Sequence, residues 1–306
     1  MVCLENLWNF LYNNYSMRNY KKPKLIAEIG CNHKGEIHIA KQLIKVAAES
    51  GVKIVKFQKR NNIELLSEDQ YNKPHPNPMH SYGETYGEHR EFLEFSIGQH
   101  KILKEYAENL GLTYSSSVWD ITSAKEIISL NPDLIKVPSA CNNNFGMLKV
   151  LRDQYNGEVH ISFGMTTKDE ELEIVSFFED SNQAKRLTLY ACTSGYPVPF
   201  EYICMLEIIR IKDTFQNRVK AIGFSGHHLG IAVDIAAYTL GAFWIERHFT
   251  LDRTWRGTDH AASLEPNGLK KLSRDLKATF KSLTYKDIDI LSIEKEQRKK
   301  LKYRKV

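Results

Sequence analysis

The stretch KAIGFSGHHLGIAVDIAAYTLGAFWIERHF (220–249) decides the fold. It opens on an apolar run of strand length, 220–226, and closes on a second, 242–249. Between them, 229–240 repeats its apolar residues at helical spacing. Two such strands joined by a helix form a right-handed crossover with the strands parallel. Outward from here the same unit recurs. Strands are predicted over 24–30, 53–58, 112–118, 133–139, 158–164 and 186–194. Helices are predicted over 36–50, 91–110, 121–131, 143–155, 168–180, 200–215 and 267–282. Eight strands alternating with helices match an α/β protein of the (β/α)8 TIM-barrel class. A doubly wound open sheet is the alternative. The barrel is expected over 24–284, behind a short N-terminal extension (1–23) and ahead of a C-terminal linker and basic tail (285–306).

One connection is long. Residues 59–90 contain PHPNP (74–78) and SYGETYGEH (81–89), whose aromatics and glycines predict an ordered lid over the barrel mouth. The rest of the composition is ordinary for a globular domain: 306 residues, 42% hydrophobic and 26% charged. The formal net charge is +5, but the last nine residues, RKKLKYRKV, carry six basic side chains. The remainder therefore stands at −1, which argues against a nucleic-acid partner. No apolar run reaches membrane-spanning length, and the first residues do not read as a secretory signal. Five cysteines without a CxxC pair predict neither a disulfide framework nor a cysteine zinc site, and a reducing cytoplasm is expected.

A barrel strand covered on both sides should be almost wholly apolar. Several of these are not. Glu28 sits in LIAEIG, Lys56 in IVKFQ and Lys136 in LIKVPS. Ser162 ends VHIS, Ser225 ends AIGFS, and Glu246 and His248 close FWIERHF. Buried charges must be paired or must hold a ligand. Internal ion pairs such as Glu28–Lys56 satisfy the first condition. The clustering of these groups at the C-terminal ends of different strands, where barrel enzymes place their sites, points to the second. Two lysines call for a phosphorylated or carboxylated anion. SFGMT (162–166) and SGHH (225–228) have the form of phosphate-binding turns.

His227 and His248 close the seventh and eighth strands, which lie about 4.8 Å apart in a sheet. Two imidazoles there could share a metal. His228 competes with His227 for that role, and His33 is a third imidazole at the mouth. Each could equally be a hydrogen-bonded loop histidine.

With these residues laid out, the chain resembles the sialic acid synthase (N-acetylneuraminate synthase) family. The matching segments are IAEIGCNHKG (26–35), VKFQ (55–58), YGETYGEHREFLEFS (82–96), LIKVPSA (134–140) and SFGMTT (162–167). They continue with CTSGYPVP (192–199), IGFSGHHLG (222–230), ERHFTLDR (246–253) and GTDHAASLEP (257–266). The resemblance implies a C–C bond-forming transferase of carbohydrate biosynthesis. It condenses phosphoenolpyruvate with an N-acetylmannosamine-type aldose and water, releasing phosphate. It implies a divalent metal, manganese in the first place and magnesium or cobalt otherwise, held by His227 and His248. It places Lys56, Ser117, Lys136, Ser139, Ser162, Ser194 and Ser225 around phosphoenolpyruvate, and Gln58, Tyr196 and Asp259 near the sugar. Glu28 would lie at the metal and the reacting carbons, with Lys56, Lys136 and Asp259 sharing the catalytic role.

Two departures stand out. Members of the family often carry a glutamate two residues after the serine of the KxxS segment, where this chain has Cys141. The family also appends a small antifreeze-like domain, near whose expected start this chain stops. The corresponding expectation is a barrel without that domain. It would have broad aldose selectivity and ordinary phosphoenolpyruvate binding, with self-association through barrel surfaces or a separate cap polypeptide. Other readings are a related nonulosonate synthase (legionaminic acid, pseudaminic acid or a 9-phosphate product) and a non-catalytic barrel.

Overall fold

The computed structural model describes residues 20–303. Eight strands close a barrel in chain order, every neighbouring pair parallel. They are β1 (Lys24–Gly30), β2 (Ile54–Lys59), β3 (Thr113–Val118), β4 (Leu134–Val137), β5 (Glu158–Ser162), β6 (Leu187–Cys192), β7 (Ala221–Gly226) and β8 (Trp244–His248). The open-sheet alternative is thereby excluded, because β8 pairs with β1 through Lys24↔Trp244 to Glu28↔His248.

Side chains alternate along each strand. Ala27 and Ile29 of β1, Val55 and Phe57 of β2, and Ile245 of β8 join the main core between sheet and helices. Their in-facing neighbours fill the lumen. Ile26, Ile54, Leu134, Tyr190 and Trp244 form a separate apolar cluster, a floor one layer below the polar residues. Tyr190 OH and His160 Nδ1 share a hydrogen bond of 2.8 Å within that floor, and His160 packs edge-on to Trp244.

Two expected helices are interrupted where their periodicity indicates a single run. The span 91–110 divides into Tyr86–Phe92 and Ile97–Asn109. Ser96 accepts from Gln99 N–H while the Gln99 side chain accepts from Ser96 N–H, and this capping box restarts the helix. The span 200–215 becomes a 3-10 turn at Phe200–Tyr202 and a helix at Glu207–Phe215, with Cys204 at φ +52° between them. Residues 59–90 carry short helices at Asn62–Leu65 and Glu68–Asn72 and the start of the third, at Tyr86. Tyr82 stacks on Phe92 and donates to the Arg256 carbonyl, while Gly257 N–H donates to His80 Nδ1. The long connection is thus ordered and tied to the loop after β8.

Of the expected extension, residues 1–19 lie outside the described residues, and 20–23 pack under the barrel. Tyr20 donates to the Thr239 carbonyl and Tyr238 to that of Lys21. The expected linker holds an exposed helix, Ser292–Leu301, with Glu294 in its first turn and Arg298, Lys299 and Lys300 in its last, the polarity that complements a helix dipole. Among the described residues no helix is long and apolar enough to cross a membrane.

Candidate active site

The polar layer begins where β1 and β2 lie in register. Glu28 is flanked on the ladder by Lys56 on one side and His248 on the other. Lys56 Nζ contacts Glu28 Oε2, donates to Ser117 Oγ at 2.7 Å, and stands 3.7 Å from Glu246 Oε2. Lys136 Nζ donates to Glu246 Oε1 at 3.0 Å and lies 4.0 Å from the Tyr190 ring centre. Ser225 also donates to Glu246 Oε1, at 3.0 Å. Two ammonium groups and two carboxylates thus form one buried network on four strands.

The two acids behave oppositely. Burial raises the Glu28 carboxyl to about 7, with the Glu246 charge adding to the rise and Lys56 opposing it. Burial also works to raise Glu246, but Lys136 and Lys56 together hold it well below the usual carboxylate range. Burial lowers the Lys136 ammonium despite Glu246. Glu246 is therefore the fixed anion of the network, and Glu28 is the group able to exchange a proton near neutrality.

Beside this network lies a cradle of hydroxyls. Gly164 N–H donates to Ser139 Oγ at 3.0 Å. A Cβ at Gly164 would stand 2.6 Å from Ser194 Oγ and 2.7 Å from Ser139 Oγ, so only glycine lets the two serines converge there. Ser162 is buried at the end of β5, and its carbonyl accepts from Asn142 Nδ2 at 2.8 Å.

Above the network sit the imidazoles. The rings of His227 and His248 are 5.4 Å apart, and Tyr196 lies against His227 in a tilted contact at 4.3 Å with 51% of its surface exposed. His227 Nδ1 donates to the Thr193 carbonyl at 3.0 Å, and the ring also hydrogen-bonds the Cys192 side chain; in the neutral ring this puts the lone pair on Nε2. Burial works to lower His227, but Cys192 beside it carries the imidazole above its ordinary range. Burial lowers His248 to about 4 against the pull of Asp259, whose Oδ2 is 3.9 Å from His248 Nδ1. Gln58 Nε2 donates to Glu28 Oε1 at 3.1 Å. Gly30, at φ +55°, brings these groups close: a Cβ there would meet Gln58 Nε2 at 3.0 Å, Glu28 Oε1 at 3.3 Å and Asp259 Oδ2 at 3.5 Å.

A family model described as NeuB matches residues 43–287. The chain belongs to the NeuB family. It is similar to N-acetylneuraminate-9-phosphate synthase of Homo sapiens, 37% identical over 85% of this chain and 70% of that protein. It is 34% identical to N,N'-diacetyllegionaminic acid synthase of Campylobacter jejuni, over 86% of this chain and 78% of the relative. Among solved structures it resembles the N-acetylneuraminic acid synthetase of Leptospira borgpetersenii in complex with citrate, at TM-score 0.77 and 25% identity, covering 93% and 94% of the two chains. These NeuB relatives are enzymes, synthases of nonulosonic acids.

The barrel brings the expected NeuB site residues to one end of the lumen: Glu28, Lys56, Lys136, Ser117 and Ser225 in one network, Ser139 and Ser194 at Gly164, and Gln58, Asp259, His248, His227 and Tyr196 above. Ser162 lies in the same layer, its side chain without a hydrogen-bond partner among the described residues. His33 and His228 do not join them. His33 Nδ1 accepts from Gly35 N–H and its ring stacks on Phe95 at 4.0 Å. His228 is wholly buried against Arg247 and Asp234, and Arg247 points away from the lumen, between Glu246 and His248 on β8. Cys141, at the position where a glutamate is common, gives its thiol to the Val118 carbonyl at 3.7 Å, and burial pushes the thiol far up. It is no substitute for a carboxylate. Two groups were not among the expected site residues. Glu246 had been visible only as one anomalous charge in a strand. Arg60, which donates to Gln58 Oε1, gave no signal, since a charged residue just past a strand usually faces solvent.

Proposed function

We propose that the chain condenses phosphoenolpyruvate with an N-acetylmannosamine-type aldose and water, giving a nonulosonic acid and phosphate. The observation that carries this reading is the Glu28–Lys56–Glu246–Lys136 network, two buried ammonium groups beside the Ser139–Ser194 cradle. Lys56 and Lys136 receive the phosphate and carboxylate of phosphoenolpyruvate as point charges, and the serines hydrogen-bond its oxygens. Gln58, Asp259 and Tyr196 line the side from which the aldose enters.

The imidazole pair fits a divalent metal. The Thr193 carbonyl accepts from His227 Nδ1, so the neutral ring carries its lone pair on Nε2, and among the described residues His248 Nδ1 is buried without a hydrogen-bond partner. Among the described residues no three His, Cys, Asp or Glu side chains group for metal ligation, so water and substrate oxygens would complete the shell of such an ion. When bound, manganese (or magnesium or cobalt) supplies Lewis-acid polarisation and orientation of the aldehyde.

The protein's own part is proton bookkeeping. The methylene carbon of phosphoenolpyruvate attacks the aldehyde carbon, and the aldehyde oxygen takes the Glu28 proton as the C–C bond forms. Water adds to the former enol-ether carbon and its proton passes to the Glu28 carboxylate. The tetrahedral species then expels phosphate by C–O cleavage, its hydroxyl proton leaving with the phosphate as the ketone forms. A carboxyl near 7 can act in both directions at neutral pH. The lumen floor keeps bulk water from entering below.

The test is phosphate release from phosphoenolpyruvate against a panel of aldoses. Release that needs both aldose and divalent metal supports the reading, and the favoured aldose separates sialic from legionaminic or pseudaminic products. Release without an aldose, or none with any member, overturns it and leaves a non-catalytic barrel.

A further inference from the structure

Two of the segments that carry the family resemblance hold buried polar residues to which the reaction gives no role, Asn32 in CNHKG and Ser263 in HAASLEP. Asn32 is 1% exposed and Ser263 3%. Asn32 stands in the turn that follows β1, and Ser263 follows the 3-10 turn His260–Ala262, ahead of the helix Pro266–Ser282. Asn32 Nδ2 donates to the Phe249 carbonyl and to Ser263 Oγ, each at 2.9 Å. The amide nitrogen has two hydrogens, and both are used. A carbonyl only accepts, which fixes which way round the Asn32 amide lies. Ser263 Oγ, having accepted from Asn32, donates to the Asp259 carbonyl at 2.7 Å.

This relay closes the loop after β8. The loop leaves the barrel at Phe249, whose N–H donates to the Glu28 carbonyl at 2.8 Å, and returns at Leu264, whose N–H donates to the His248 carbonyl at 2.8 Å. Asn32 clasps the outgoing limb at Phe249 and the returning limb at Ser263. Asp259 lies between them, on the loop and not on a strand, so its place depends on what holds the backbone. Among the described residues its carboxylate has one hydrogen bond, from Thr258 Oγ1 at 3.1 Å, and Thr258 is its own exposed neighbour. That bond anchors nothing. Yet Asp259 Oδ2 is aimed into the mouth, 3.9 Å from His248 Nδ1 and 3.5 Å from where a Cβ on Gly30 would stand. A second tie, Thr250 Oγ1 with His260 Nδ1 at 2.7 Å, ends on a side chain and leaves the Asp259 peptide to the relay. A buried polar network with its members satisfied rigidifies what it holds.

We propose that Asn32 is a positioning residue for the aldose site: acting through Ser263, it holds the Asp259 peptide and so sets where the Asp259 carboxylate meets the sugar hydroxyls. The inference rests on the condensation proposed above, which puts the aldose on the Asp259 side of the lumen. Asn32 itself is turned to Phe249 and Ser263 and faces no reacting atom. The relay needs two donors on one short side chain at the turn after β1. An ionised aspartate has the same shape and no donor, and alanine has neither. Lys56, Lys136 and the Ser139–Ser194 cradle, which meet phosphoenolpyruvate, lie outside the relay.

The experiment takes Asn32→Ala, Asn32→Asp, Ser263→Ala and the double alanine variant as full chains, with phosphoenolpyruvate, manganese and the aldose favoured in the panel. Each single variant should raise the KM for the aldose by about 10- to 100-fold, the effect of moving a substrate-holding group by about 1 Å. The KM for phosphoenolpyruvate should hold, and a parallel rise in it would overturn the proposal by showing general damage to the mouth. The double variant should lose no more than the larger single loss, because both residues act through one relay. Losses that multiply would show two independent effects and sink the relay. Thr250→Val breaks the other tie in the same loop and leaves the relay whole, so its aldose KM should stay near wild type. An equal rise there would assign the effect to the order of the loop as a whole and not to Asn32. If Asn32→Ala does not fold, Ser263→Ala, which keeps the Asn32–Phe249 bond, carries the test. If no aldose turns over, the condensation itself fails, and calorimetry of N-acetylmannosamine with manganese and without phosphoenolpyruvate decides the relay. Binding by wild type that is lost in Ser263→Ala supports it, and equal binding, or none by either, overturns it.

Discussion

Glu28 and Lys56 are register partners on β1 and β2, and their charged ends meet in the lumen directly above an apolar floor. The contact does not simply neutralise two charges. Burial and the neighbouring Glu246 lift the Glu28 carboxyl to about 7, so near neutral pH the pair is divided between an ion pair and a hydrogen bond from a neutral acid. Arrival of a polyanionic substrate favours the protonated form further, since it frees Lys56 to face the new charge.

This fixes a pH dependence. A carboxyl that must begin protonated makes kcat/KM fall as pH rises through about 7. Glu28→Gln should abolish that inflection and lower kcat by roughly 10²- to 10⁴-fold. Stability follows the same sign. The folded pKa lies above the unfolded value of 4.5, so the contribution from Glu28 is complete below about pH 4.5 and is lost as pH rises through about 7. The melting temperature of wild type relative to Glu28→Gln should therefore decline between pH 5 and pH 8. An inflection that persists in the variant would assign the titration to another group.

Lys136 has two duties that can be separated. Lys136→Met should raise the KM for phosphoenolpyruvate and also leave Glu246 buried with Lys56 as its one remaining cation, 3.7 Å away. Breaking a buried pair costs about 3–5 kcal/mol, a fall in melting temperature of roughly 10 °C for a domain of this size. Adding Glu246→Gln should recover most of that stability without restoring phosphoenolpyruvate binding. Equal melting temperatures for the single and double variants would show that Glu246 does not depend on Lys136.

The architecture was legible because barrel strands and helices have different periods, and each strand ends at a distinct signal. β1 ends at Gly30, where a positive φ is needed, and β4 ends before Pro138, which cannot continue the ladder. The lumen residues were legible because a charge inside an otherwise apolar strand has no inexpensive structural explanation. Rim residues lack that contrast. Arg60 follows Lys59 at a strand end and reads as solvated, and only the folded chain brings it onto Trp119, 59 positions away. Likewise nothing local separates His227 from His228. The choice is made by Asp234 and Arg247, which claim His228 from outside the barrel. The split at residues 92–97, by contrast, was readable in Ser96 and Gln99, whose spacing is a capping box.

The imidazole pair carries the metal proposal. His227→Ala and His248→Ala should abolish manganese binding in equilibrium dialysis and reduce turnover to background. The melting temperature without metal should change little, because neither ring anchors the main core. Manganese binding retained by both variants would remove these two residues from the metal site.

Cys141 should be chemically silent. Its thiol is buried against the Val118 and Pro138 carbonyls, and burial keeps it protonated. Cys141→Ala should keep kcat within a few-fold of wild type and lose the modest stability of a small buried side chain, about 1 kcal/mol. A loss of kcat by two orders of magnitude at unchanged melting temperature would return this position to the catalytic set.

The Asp234–Arg247–His228 group supplies the complementary case, a buried charge cluster that is not part of the lumen. Asp234 and His228 are wholly buried, and Arg247 Nη1 reaches Asp234 Oδ2 at 2.5 Å and the Gly230 carbonyl at 2.8 Å. Arg247 Nη2 donates to the His228 carbonyl, so the guanidinium ties down the loop that follows β7. That loop begins at His227. Asp234→Ala strands the guanidinium and should cost about 3–5 kcal/mol, read as a lower melting temperature. Its effect on turnover should run through the position of His227 alone. The expected pattern is a several-fold rise in the manganese concentration needed for half-maximal activity, with kcat at saturating metal and the KM for phosphoenolpyruvate near wild type. A fall in melting temperature with no change in the metal requirement would show that the loop holds His227 without this brace.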